Sequence, residues 1–454
     1  MKNRIPLVLL AASTGCFCRA TEVEPGKAYQ DLWGQPEIVR RIDDGIRTNR
    51  MDVVVLRITG ADGAALTNVT LRVEQTRHDF LFGANIFMLG GFLTPEENRK
   101  YEQTYTSLFN YATVPFYWSD LEPEPGKPRF SKDSPAIYRR PPPDSVIEFC
   151  RQQGLEMKGH PLVWHQWYPK WRPENPMEAM VRNEQRIAEI ATRYSHLIKR
   201  WEVVNEPCER QFHADKWFNL PEDYVFRSFD QAAKCFPASS RLALNEATAF
   251  SWVKFNGFES PYYRLIRELL DRGARVEEIG MQMHFFSEKA WQPVLAGKQF
   301  APADLLKVLD RYSDFGRPLA ITEITLPTLP NTSAGEQTQA TVARNFYRLW
   351  FSHPHVVAIS WWNLVDETAA KGEDKMLAGL VHRDFTPKLA YKALDQLINH
   401  EWKTRFETNS AANGKVAFRG FHGEYNVTAQ AGGKTVKQTF HLKKEIPNEW
   451  SLKF

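Results

Sequence analysis

Trp201-Glu202-Val203-Val204-Asn205-Glu206-Pro207 is the stretch on which the reading of this chain turns. A short apolar, β-branched run ends on a carboxylate and then a proline, the pattern of a buried parallel strand that stops sharply. A second such run, Leu319-Ala320-Ile321-Thr322-Glu323-Ile324-Thr325, again carries a glutamate, and the interval between Glu206 and Glu323 fits three strand–helix units. In an eightfold α/β barrel the C-terminal ends of the strands open on one pocket, and the chemistry sits there. A lone glutamate after a strand is most often a helix cap or a surface ion-pair partner. The Asn-Glu-Pro triplet and the second strand-end glutamate argue for shared work instead.

Outward from these two runs, six more of the same kind complete a set of eight: Phe80–Phe87, Tyr111–Trp118, Glu156–Trp164, Arg200–Glu206, Leu242–Glu246, Ile279–His284, Leu319–Thr325 and Val356–Leu364. Helical stretches fall between them, among them Met177–Ile198, Pro261–Arg272 and Thr338–Phe351, and Lys388–His400 would close the ring. Repeated strand–helix units of this number indicate an α/β fold, a (β/α)8 TIM barrel, rather than an open doubly wound sheet. Both ends differ from the middle. Residues 51–76 alternate apolar and polar positions around Gly60-Ala61-Asp62-Gly63, and β patterning returns after Trp402, punctuated by Gly432-Gly433. The expected organisation is a leader at 1–20, a β-rich segment at 21–78, the barrel at 79–404 and a second β-rich segment at 405–454. Two readings of the β flanks stand open: one small sandwich built from both termini, or two independent decorations.

At 454 residues with 43% hydrophobic and 13% aromatic content, the chain can fill one large core and a smaller one. Lys2 and Arg4, the apolar run Ile5–Ala12 and the small residue Ala20 have the form of a secretory leader, so a secreted, periplasmic or cell-surface protein is expected. Ser13-Thr14-Gly15-Cys16 is an imperfect lipoprotein signal, with Ser13 where an aliphatic residue belongs. No later run reaches the roughly 18 apolar residues that a membrane span needs. Taking away the leader removes Lys2, Arg4 and Arg19 and no acid, which lowers the formal charge from +4 to +1. That balance gives no electrostatic case for nucleic acid. Cys150, Cys208 and Cys235 lack metal-ligand spacing and allow at most one bridge. Neither a Walker-type loop nor a dinucleotide fingerprint occurs. Nothing speaks to oligomeric state, so a monomer is the expectation.

The other strand ends supply histidine, tryptophan and amide groups: Lys158-Gly159-His160-Pro161-Leu162-Val163-Trp164-His165, Gly280-Met281-Gln282-Met283-His284 and Ser360-Trp361-Trp362-Asn363. Singly these would be core residues. Together they describe a cleft in which aromatic faces stack on pyranose rings and polar groups take the hydroxyl edges. Over about residues 79–404 the chain resembles glycoside hydrolase family 10, the retaining endo-β-1,4-xylanases, and the motifs above, with Ile321-Thr322-Glu323, occur in that family's order. The resemblance implies Glu206 as acid/base and Glu323 as nucleophile, with Asn205, His160, Trp164, Gln282, His284 and Trp362 binding substrate. It implies xylan or a related β-glycan as polysaccharide partner, and neither metal nor organic cofactor. An acid must hold its proton, so the surroundings of Glu206 are expected to favour the protonated form, while His284 is placed to hydrogen-bond Glu323. Carboxyl groups about 5–5.5 Å apart are expected of a retaining pair.

The sequence departs from the family after the second strand. Thr113-Val114-Pro115-Phe116-Tyr117-Trp118 stands where members typically carry Glu-Asn-x-Met-Lys ahead of a tryptophan, groups that bind sugar on the non-reducing side. Trp167 stands in place of a glutamine, Asn245-Glu246 in place of Asn-Asp, and the second tryptophan beyond the last strand is not evident after Asp366-Glu367. Glu246 is a rival carboxylate. The departures leave open a decorated xylan, another β-glycan, or a carbohydrate-binding protein without turnover.

Overall fold

The computed structural model describes residues 25–208 and 220–454. The leader, with Cys16 and Ala20, lies outside these residues.

Eight parallel strands, Leu81–Asn85, Tyr111–Pro115, Glu156–His160, Arg200–Asn205, Arg241–Glu246, Glu278–His284, Leu319–Thr325 and Val356–Trp361, form a closed barrel. They are numbered here one to eight in chain order. Strand eight pairs with both strand seven and strand one, which closes the ring. Every residue of strands one, two and seven is buried, because helices cover the outside and side chains fill the inside. This is the (β/α)8 TIM barrel expected from the eight apolar runs, with strand ends shifted by a few residues.

Register places the future site. Asn205 lies opposite Asn245, Asn245 opposite Gly280, and Gln282 opposite Glu323. Four strands therefore deliver amides and a carboxylate at nearly one level. Gly280 is required at that level, since a Cβ there would sit 2.5 Å from Asn245 Oδ1. Gly159 is required by the Trp201 indole, whose ring atoms would lie 2.3 Å from a Cβ.

The N-terminal segment differs from the β-rich reading of 21–78. Residues Lys27–Trp33 and Pro36–Arg50 are helices. Ile38, Ile42 and Ile46, spaced by four, form the buried stripe of the second, and Trp33 packs on Phe346 of the helix Ser333–Ser352 with ring centroids 5.6 Å apart. Beyond them both flanks enter the same two sheets. Met51–Thr59 runs between Lys415–Phe421 and Asn448–Lys453. Thr70–His78 runs between Arg405–Asn409 and Gly423–Ala431, which in turn pairs with Lys434–Leu442. Val54, Leu56, Ile58, Leu71, Val73, Tyr425, Val427 and Trp450 form a core of their own there.

Cys150 and Cys208 are buried and Cys235 is half-buried, and burial pushes the Cys150 thiol up to about 12. Among the described residues no helix is long and apolar enough to cross a membrane.

Candidate active site

Glu206, Glu323, Asn205, His160, Trp164, Gln282, His284 and Trp362 all line one cavity of about 530 Å³ at the C-terminal mouth of the barrel. Glu206 stands one residue past strand four, at φ 54, a backbone region that non-glycine residues seldom occupy. Its amide donates to Asn245 O at 2.9 Å, so the turn is tied to strand five. Trp164 Nε1 and Gln166 Nε2 donate to Glu206 Oε2 at 3.1 and 3.3 Å, and Gln282 Nε2 donates to Oε1 at 2.9 Å. Glu323, 3% exposed, lies within strand seven. Its Oε1 accepts from Asn245 Nδ2 at 2.8 Å and Gln282 Nε2 at 3.2 Å, and its Oε2 lies 3.1 Å from His284 Nε2.

One donor thus serves both carboxylates. Bonds of 2.9 and 3.2 Å to the same Gln282 nitrogen put the two acceptor oxygens no more than 6.1 Å apart. Asn205 belongs to the same knot, its Oδ1 accepting from Asn245 Nδ2 at 3.0 Å and Gln282 Nε2 at 3.2 Å. That leaves its amide nitrogen for the cleft. Thr322 Oγ1 donates to Asn245 Oδ1 at 2.6 Å, and His284 Nδ1 pairs with Thr325 Oγ1 at 2.8 Å.

His160 is held from below and above. Its Nδ1 lies 2.8 Å from Glu202 Oε1 and its Nε2 3.0 Å from the Tyr117 hydroxyl. Glu202 also accepts from Lys158 Nζ at 2.8 Å, and both partners are sealed, at 0% and 1% exposed. Burial alone would push the Glu202 carboxyl up, but His160 and Lys158 together hold it down to about 2. His160, Glu202 and Glu323 bring one possible metal-ligating atom each within 4.8 Å of one another. The Lys158 ammonium already balances Glu202, which makes this group an ion-pair network rather than a cation cradle.

Aromatic rings build the walls. Trp362 meets His160, His284 and Phe87 edge-on, with centroids 5.4–5.8 Å apart. Trp164 and Trp167 stack in parallel at 4.9 Å. The departure at strand two has a structural counterpart: Arg140 lies 3.8 Å over the Tyr117 ring and donates to Asp120 at 2.9 Å, and Asp120 also accepts from Trp167 Nε1. The rival Glu246 turns away. Its carboxylate accepts from the amides of Cys208 and Ala247 at 2.8 and 2.7 Å, and it does not line the cavity.

Several lining residues were not singled out in the sequence. Arg139, Arg140 and Glu373 come from loops with no periodic pattern, and Phe286, Gln299 and Phe300 from the opposite wall. Asn245 could have been found as the polar end of strand five.

The sequence model of glycosyl hydrolase family 10 matches residues 92–397. The chain is 25% identical over 402 residues to anti-sigma-I factor RsgI6 of Acetivibrio thermocellus, a match covering 87% of this chain and 47% of that protein. It is 25% identical over 407 residues to endo-1,4-beta-xylanase 2 of Arabidopsis thaliana, covering 87% of this chain and 33% of that one. The chain therefore spans less than half the length of these two curated relatives. Among solved structures, xylanase 10B from Thermotoga petrophila RKU-1 in complex with xylobiose superposes with a TM-score of 0.57 at 21% identity, covering 71% of this chain and 95% of that one. That likeness concerns the fold.

Proposed function

The chain belongs to glycosyl hydrolase family 10, and we propose that it hydrolyses internal β-1,4 linkages of xylan by double displacement, with Glu323 as nucleophile and Glu206 as acid/base. The observation that carries the reading is the single Gln282 amide shared by both carboxylates, with its limit of 6.1 Å between oxygens. Inverting enzymes need about 6.5–9.5 Å to seat a water between the pair, whereas about 5–5.5 Å suits a covalent glycosyl-enzyme.

Depth supports the division of roles. Glu323 is anchored inside a strand by Asn245, Gln282 and His284, a fixed position from which to attack the anomeric carbon. Half-buried Glu206 sits beyond its strand, between cleft and solvent. In the first step Glu323 forms a bond to the anomeric carbon while Glu206 gives its proton to the departing glycosidic oxygen. In the second, Glu206 takes a proton from water, the oxygen bonds to the anomeric carbon, and Glu323 leaves. Asn205, with its amide nitrogen toward the cleft, would hold a sugar hydroxyl whose hydrogen bond strengthens in the transition state. His160, Trp164, His284 and Trp362 would surround the ring beside the cleaved bond, a place for aromatic stacking and hydroxyl contacts. Export through the 1–20 leader to the medium, periplasm or cell surface belongs to the same proposal.

A relative named as an anti-sigma factor makes a binding role without turnover the second reading. Two carboxylates that share one donor favour turnover, since a binding site has no use for that arrangement. The deciding experiment is a product profile on glucuronoarabinoxylan, with Glu323→Ala as the blank. Short xylo-oligosaccharides from the native protein alone are expected. Silence from both proteins overturns xylan as the substrate.

A further inference from the structure

The wall made by the loops after strands one, two and eight holds two charged groups that the mechanism leaves unused. Arg139 is 6% exposed and lines the cavity. Its guanidinium lies 5.5 Å over the Phe87 ring and donates through Nη1 to Thr368 O at 2.6 Å, while its buried Nε has no hydrogen-bond partner. Glu373 lines the same cavity, and its buried Oε2 also has no partner. A buried charged group left unmet is costly, so a ligand that supplies the missing partner gains affinity. Arg139 also stands at φ 61, a conformation that an arginine rarely holds. Burial lowers the pKa of its guanidinium, and the repulsion from Arg140 adds to that, while the Glu373 charge opposes it, so the carboxylate lies within its field. Among the described residues no ion pair joins the two.

A donor and an acceptor, each with an unmet buried atom and both held on one wall of an aromatic-lined cleft, match one ligand chemistry well. Adjacent hydroxyls of a sugar ring can accept from one and donate to the other. A sugar carboxylate would gain Arg139 but face Glu373, a like charge. Neighbouring Arg140 is already committed to Asp120 and to the Tyr117 ring. We propose that Arg139 and Glu373 form a specificity-determining subsite that grips the vicinal hydroxyls of a neutral sugar unit in the cleft. This rests on the hydrolase reading above.

The test compares the native protein with Arg139→Gly, Glu373→Gln and the double variant on xylotriose to xylohexaose and on a uronate-bearing xylo-oligosaccharide. Glycine suits the positive φ, and Tm measured on every variant separates loss of binding from loss of folding. Each single change is expected to lower kcat/KM on the longer neutral oligosaccharides by about 10- to 100-fold, the loss of one charge-assisted hydrogen bond. The shortest substrates should suffer least. The double variant should lose little more than the worse single, because both groups hold one ring. Unchanged kcat/KM in both singles, with an active native protein, overturns the subsite alone. So does a Glu373→Gln gain on the uronate substrate with Arg139→Gly losing only that substrate, which would mark a carboxylate site. A native protein that cleaves none of these overturns the hydrolase reading on which the subsite stands.

Discussion

Replacing Glu202 by glutamine should destabilise the barrel far more than a change of one atom suggests. Glu202 is fully buried and accepts from Lys158 and His160, each at 2.8 Å. Glutamine keeps the shape and one acceptor but leaves the Lys158 ammonium, 1% exposed, without its counter-charge. Breaking a buried pair from one side costs about 3–5 kcal/mol. The carboxyl reports the same coupling, since His160 and Lys158 hold it well below its usual range despite burial. Against a typical stability of about 5–15 kcal/mol the variant should fold but unfold at clearly lower urea. The Lys158→Met, Glu202→Gln double variant removes the orphan cation and should recover most of the loss. The sign with pH is fixed, because a carboxyl held low stabilises the fold above about 4.5 and loses that contribution as pH falls toward 2. The gap between native and Glu202→Gln should therefore close across that window. The assay is urea unfolding followed by tryptophan fluorescence at pH 7 and at steps below 4.5. A Glu202→Gln loss under about 1 kcal/mol at pH 7, or a double variant less stable than the single, would refute the reasoning.

Two further perturbations bear on the chemistry and on the flanks. Glu206→Ala should slow hydrolysis of natural xylo-oligosaccharides by about 10²–10⁴-fold, the usual size of acid–base catalysis, yet leave glycosylation by aryl glycosides with activated leaving groups nearly intact. Equal loss on both substrate types would contradict the acid role. Deleting residues 405–454 should cause aggregation or unfolding, because it strips the partners of Met51–Thr59 and Thr70–His78. Val54, Leu56, Ile58, Leu71 and Val73 would then meet water at roughly 1.5–3 kcal/mol each. A soluble, monodisperse truncation with native Tm would show that the flanks contribute little.

Much of the barrel and its mouth was legible because the determinants are local. A buried parallel strand is a continuous apolar run, and a polar residue at its end has one destination, the shared mouth; Asn205, Glu206, Gln282 and Glu323 were visible for that reason. Residues 27–50 are helical against the β-rich expectation for 21–78: Ile38, Ile42 and Ile46 carry the helical spacing, but the strand alternation from 51 onward dominates the segment. The pairing of the short edge strands Arg405–Asn409 and Asn448–Lys453 cannot be read locally, since their partners lie hundreds of residues away. Arg139 and Glu373 were unreadable for a similar reason. Loop residues have no period, and only the closed ring brings the loops after strands two and eight together.

The central claim, two carboxylates close enough for covalent double displacement, is tested most directly by the anomeric configuration of the first product. Proton NMR of xylohexaose hydrolysis, recorded before mutarotation, reads the new reducing end. The β anomer is predicted, formed by two inversions through a Glu323 adduct. The α anomer as first product would mean a single displacement, and with it a pair too far apart for the geometry that Gln282 enforces.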